Sequence, residues 1–224
     1  MSARRQAGLA IVELLVGAAL GLIIVAAGTT VVTQNARENR ALMIEARLMQ
    51  DLRTAADIVS RDLRRAGYWA ASASGVRSDD GSAPLANPYA AVAPASAASD
   101  AVRLSFSRDA SENGVVDDNE QFGFRLRGGA IELQLGDGNW QALTDPATLV
   151  VTGFTVTPRT EEASLQGFCA EPCAAGSTVC PPRQQVRSFA IAIAGRSAAD
   201  PAARRSVQGA VRLRNVSVVG NCEG

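Results

Sequence analysis

The chain has 224 residues, enough for one globular domain with a long appendage. Its 22 Lys and Arg balance its 22 Asp and Glu without a clustered basic stretch, which argues against nucleic acid or another polyanion as partner. It contains no His, the commonest general base and metal ligand, and no G-x-S-x-G stretch, so it reads as a non-enzyme.

The first element is apolar. Arg4 and Arg5 precede a run that continues to Val32, broken by a single acid, Glu13. Residues 14–32 are uncharged and long enough to span a bilayer's hydrocarbon layer as a helix. The arginines before the run should hold the head in the cytoplasm and send the rest outside. A secretory signal cut after Val25-Ala26-Ala27 fits less well, because such apolar regions run only about 7–15 residues. Two adjacent arginines are too little to indicate the twin-arginine route. A plain anchor explains the length and leaves Glu13 unexplained.

A carboxylate at membrane depth costs about 2.5–3.5 kcal/mol on insertion scales, so a cation should meet it. If the chain is cut between Gly8 and Leu9, the new α-amine lies one helical turn before Glu13. There it can reach that carboxylate or a neighbour's. Glu13 then becomes a docking group between subunits.

With Arg4 and Arg5 as a basic leader, Gly8 before the cut, and Glu13 as fifth residue of the mature chain, the sequence resembles the type IV pilin superfamily. The one departure is Leu9, where Phe is usual. The resemblance implies cleavage after Gly8 by prepilin peptidase, N-methylation of Leu9, and pairing of Glu13 with the terminal amine of an adjacent subunit. It also implies an α+β, pilin-like fold: a long N-terminal helix, transmembrane in its first half, packed on an antiparallel β-sheet.

Beyond Val32 the composition turns charged, yet Ile44, Leu48, Leu52, Ala55, Val59, Leu63 and Ala66 keep helical spacing. Arg47 with Asp51, Arg53 with Asp57, and Asp57 with Arg61 stand four apart on the other side and predict ion pairs. Gly67 is the natural stop. A helix over residues 9–66 would be about 87 Å long, more than a bilayer requires, so its outer half must cover a sheet. The stretch "RDLRRAGYWA", residues 61–70, is similar to the arginine-rich helix end of minor pilins of the PilW type, and the late "VRLRN", residues 211–215, looks like the last strand of that group.

The expected organisation is therefore a leader at 1–8, a helix at 9–67 with 9–32 in the membrane, an Ala/Ser/Pro-rich connecting loop at 68–100, and a β-rich domain at 101–224. From Ala101 the apolar period changes to two: "AVRLSFS", "QFGFRLR", "AIELQL", "TLVVTGFTVT", "VRSFAIAIA" and "GAVRLRNVSVV" read as strands. Gly128-Gly129 predicts a tight hairpin, and "GDGN" at 136–139 another turn.

Between the first two strands lies "DASENGVVDDNE". Set on the calcium-loop pattern it offers Asp109, Ser111, Asn113, the Val115 carbonyl, Asp117 and Glu120, with Gly114 at the sharp turn. The same residue types also make ordinary turns without an ion, so Ca2+ is an expectation carried by spacing. Cys169, Cys173, Cys180 and Cys222 lie in the last quarter; their spacing fits no zinc knuckle, and an exported domain favours disulfides. Each of the three connectivities ties Cys222 to the cluster and closes a short loop with the other two.

The resemblance implies a minor pilin of a type IV pilus, an inner-membrane prepilin with a periplasmic C-terminal domain that enters the pilus and helps initiate it at the tip. Its partners would be other minor pilins and the major pilin through the helix, prepilin peptidase and the inner-membrane assembly platform. A pseudopilin of a type II secretion system shares the helix and the cleavage. An adhesive, calcium-binding pilus-tip module is the reading from a different class.

Overall fold

The computed structural model describes residues 11–75, 84–109 and 111–222. The chain divides into two compact units, residues 1–44 and 45–224. One helix, α1 (Ile11–Arg65), has residues in both. No proline falls within it, and apolar spacing persists past the charged change of composition, so nothing in the sequence ends it sooner.

In the first unit the helix is apolar enough to cross a membrane and its apolar window is wholly unburied by protein. Ile11, Leu14, Leu22, Ile23 and Ile24 are all more than half exposed. In water such a surface would be unfavourable at about 25 cal/mol per Å²; in a bilayer it is the matching solvent.

In the second unit the stripe Leu48, Leu52, Ala55, Val59 and Leu63 is buried, followed by Ala66. Gly195 shows how close the sheet comes. A Cβ there would stand 2.6 Å from Leu149 Cδ1 and 3.4 Å from Leu52 Cδ2. The expected pairs Arg47–Asp51, Arg53–Asp57 and Asp57–Arg61 are not among the ion pairs of the described residues. The helix instead brings Arg65 to Asp62 at 4.0 Å. Exposed long side chains gain little by pairing in water, so the spacing alone does not close such pairs.

The helix stops at Gly67, which takes the left-handed conformation (φ 74) that a Cβ disfavours. The carbonyls of residues 63–66 are met: Leu63 O by the Ala66 N–H, Arg64 O by the Arg214 N–H at 3.3 Å, Arg65 O by the Tyr68 N–H, and Ala66 O by Asn215 Nδ2 at 3.0 Å. The two stretches that carry the PilW-type resemblance therefore touch each other, one capping the other.

The strands form two antiparallel sheets, where the alternating pattern had suggested one. The first orders β1 (Val92–Ala93), β2 (Ala101–Ser105), β3 (Gln121–Arg127), β4 (Ala130–Leu135) and β5 (Trp140–Ala142). The second orders β6 (Leu149–Ser164), β7 (Arg183–Ser197) and β8 (Arg204–Arg212), with β9 (Ser217–Val219) also on β7. After β5 the chain turns through Asp145, whose carbonyl accepts from the Thr148 and Leu149 N–H groups, and leaves the first sheet. An isolated bridge, Ser99 to Val156, lies outside both ladders. Periodicity marks which residues are strands; it carries no information on which edges pair.

Hairpin β3–β4 turns on Gly128 and Gly129, both at positive φ, as a two-residue turn of this hand requires. Phe122 and Phe124 on β3, Leu104 and Val102 on β2, and Ile131 on β4 face the core. In the second sheet Leu149 and Val151, then Phe154 and Val156, all face inward although Val151 and Phe154 are three apart. A register shift between Val151 and Gly153 makes this possible by inserting one residue.

Beyond Pro158 burial ends, yet β6 and β7 stay paired to Ser164 and Arg183. This extension is held by Arg183 with Glu162 at 3.1 Å, by β9, and by two disulfides, Cys169–Cys222 and Cys173–Cys180. The last strand is β9, and the "VRLRN" stretch leaves its sheet at Leu213, because Leu213 turns into the core and Asn215 serves the helix end.

Candidate functional site

The processing positions Gly8 and Leu9 lie outside the described residues. Glu13 sits in the first turn of α1, exposed, and makes no hydrogen bond or ion pair among the described residues. It is an acid on an apolar cylinder.

The acidic loop between β2 and β3 is organised around Tyr89, a residue from the Ala/Ser/Pro-rich stretch that the sequence pattern did not single out. Tyr89 is fully buried, and its hydroxyl lies 2.9 Å from Glu112 Oε1, 3.0 Å from Glu120 Oε2 and 3.1 Å from the Val115 carbonyl. It has one proton to donate among three acceptors. Burial first, then its bonds to Glu112 and Glu120, push the phenol well above its ordinary value and keep it protonated. A tyrosine isolated in an otherwise small-residue loop was the available signal.

Glu120 is likewise fully buried. Its carboxylate accepts the Arg108 N–H at 2.6 Å and the Asp117 N–H at 3.0 Å. The latter bond belongs to a capping box that starts the short 3-10 turn Asp118–Glu120. Carboxylate oxygens of Asp109, Asp117 and Glu120 lie within 4.8 Å of one another. Burial, and then repulsion from Glu120, Asp117 and Glu112, raise the Asp109 carboxyl above its usual range. Burial acts to raise Glu112 as well, but the nearby Ser107 hydroxyl, the Gly114 N–H at 3.0 Å and the Tyr89 hydroxyl at 2.9 Å outweigh it and hold Glu112 low.

Three of the six residues expected to hold calcium are thus brought together. The other three are placed differently. The Val115 carbonyl faces Tyr89, Asn113 Oδ1 accepts the Val115 N–H at 2.7 Å while its Nδ2 donates to Asp117 at 2.8 Å, and Ser111 is exposed. Glu112, which the pattern passed over, is the acid that joins the cluster through Tyr89. No basic side chain forms an ion pair with any of these acids among the described residues.

All four cysteines are paired among the described residues. The structure selects Cys169–Cys222 and Cys173–Cys180, with separations of 53 and 7 residues.

Residues 41–213 match the family described as prepilin peptidase-dependent protein B (PpdB). The chain belongs to the PpdB family. The matched stretch begins beyond the apolar part of α1, so it supports a pilin-like assignment independently of the Gly8 and Glu13 spacing. PpdB membership ties the chain to prepilin peptidase and to a structural, pilin-like class of protein. Membership and the N-terminal apolar helix together fit a membrane-anchored chain. No curated protein and no solved structure matches it.

Proposed function

We propose that this PpdB-family chain is a minor pilin of a type IV pilus, made as an inner-membrane prepilin with its C-terminal domain in the periplasm. Prepilin peptidase cuts after Gly8, Leu9 is N-methylated, and the helix then passes from the membrane into a bundle formed with other minor pilins and the major pilin. The observation that carries this reading is α1 itself: one helix whose first part is apolar and exposed while a later stripe is buried by the chain's own sheets. Leaving the bilayer exchanges lipid contact for contact with like helices, so the transfer is not opposed by the hydrophobic effect. Help in starting assembly at the tip, through the inner-membrane platform, is inherited from the PilW-type stretches at 61–70 and 211–215.

Intact mass and N-terminal sequencing of the membrane-extracted protein test the processing. A chain starting at Leu9 with one added methyl is expected; a start at Gly28 would mean a secretory signal and would end the proposal. A pseudopilin of type II secretion is separated by deletion of the chain's gene: loss of pili with secretion intact supports the pilus.

A second part of the proposal is calcium at Asp109, Asp117 and Glu120, favoured by three carboxylates within 4.8 Å of one another without a basic partner. The ion would brace the loop rather than catalyse. Calorimetric titration of the full chain with calcium should give saturable heat that Glu120→Gln abolishes; no heat up to millimolar calcium rules the site out.

A further inference from the structure

Arg187, on β7, has its guanidinium half-buried with no carboxylate against it. Its Nη1 donates to the Ala90 carbonyl at 2.6 Å, and its Nε is buried without a partner. The ion pairs of the described residues join Arg65 to Asp62, Arg125 to Glu132, Arg183 to Glu162 and Arg205 to Glu45, and Arg187 is in none of them. Burial alone pushes the group below the ordinary arginine value. Buried charges in proteins are as a rule paired, because an isolated one forfeits its hydration without return.

The same side chain lines a cavity of about 200 Å³ bounded by β6, β7 and the segment around β1. Phe189, Pro158 and Pro94 give it apolar walls, and Thr160 stands opposite Arg187 across the β6–β7 pair. The register pairs Thr160 with Arg187 and Pro158 with Phe189, so these four share the face that the cavity occupies, whereas Arg159 and Ser188 pair with each other on the opposite face of the ladder. One guanidinium and the Thr160 hydroxyl therefore face a small cavity that no acid lines.

We propose that this cavity is a binding site for a small oxyanion of the carboxylate or phosphate type, seated on the Arg187 guanidinium with the Thr160 hydroxyl beside it. A planar guanidinium presents its N–H donors in a fork that matches two oxygens of such an anion. The volume admits inorganic phosphate or a short carboxylate and excludes a nucleotide. The Arg187 bond to Ala90 then gains a purpose beyond the fold, since it fixes the direction of the remaining donors.

Calorimetric titration of the full chain in detergent micelles tests the site, with sodium phosphate in one arm, sodium acetate in another, and sodium chloride at equal ionic strength as reference. Saturable one-site heat is expected with at least one of the two anions, and which arm gives it identifies the ligand class. Thr160→Val, a substitution of nearly equal volume that leaves the Ala90 contact alone, should weaken that affinity about fivefold or more, and Arg187→Gln should abolish it. If Arg187→Gln does not fold, Thr160→Val carries the decision. Absence of saturable heat with both anions, or an affinity unchanged by Thr160→Val, overturns the proposal.

Discussion

The two disulfides close loops of very different size, and this sets a measurable difference in stability. Cys169–Cys222 spans 53 residues and Cys173–Cys180 spans 7. In the chain-entropy account a cross-link stabilises by removing freedom from the unfolded chain. The long closure is then worth about 4 kcal/mol, the short one about 2.4, and the difference, 1.5RT ln(53/7), is about 1.8 kcal/mol. The folded state points the same way, because Cys222 follows β9 and anchors it beside the unburied end of β6 and β7. The comparison is between Cys169→Ala/Cys222→Ala and Cys173→Ala/Cys180→Ala in the full chain in detergent micelles. Urea unfolding followed by fluorescence of buried Trp69 gives both midpoints. The first double variant should be the less stable by about 1.8 kcal/mol. Equal loss, or greater loss from the short loop, would refute the reasoning.

Three further outcomes follow from the packing. Gly195→Ala places a Cβ against Leu149 of β6 and Leu52 of α1, both buried, and should cost about 1–3 kcal/mol in the same urea assay. Tyr89→Phe removes the donor shared by Glu112 and Glu120 and should cost about 1–2 kcal/mol, read as a lowered thermal midpoint. Asp62 has its carboxyl raised by burial, which outweighs the nearby Arg65 and Arg61. Between the unfolded value of about 3.9 and the higher folded value the native state binds more protons, so stability falls as pH rises through that window. Asp62→Asn escapes this loss and should be more stable than the wild type at pH 7 but not at pH 3.

The long helix was legible because its signals are local: an apolar run, then a stripe at 3.6-residue spacing, then Gly67. Strands β3 and β4 were legible for the same reason, with Gly128-Gly129 between them. The split into two sheets was not, since pairing depends on edges brought together after the chain turns at Asp145. The extension of β6 past Thr157 was also hidden, because "PRTEEAS" has no apolar alternation and is held by cross-strand polar pairs and disulfides. At the acidic loop, spacing identified Asp109, Asp117 and Glu120, which the fold does bring together. Tyr89 and Glu112 were missed because their contact joins residues 23 apart across a loop without periodicity.

In the proposed pilus Glu13 docks one subunit on the amino terminus of another. The most direct measurement is the fraction of Glu13→Ala protein that enters fibres, against wild type expressed at the same level, with membrane insertion and cleavage after Gly8 verified for both. Removing one partner of a buried ion pair costs about 3–5 kcal/mol, so incorporation should fall more than a hundredfold while insertion and cleavage persist. Fibres that take up Glu13→Ala as readily as wild type would contradict the account.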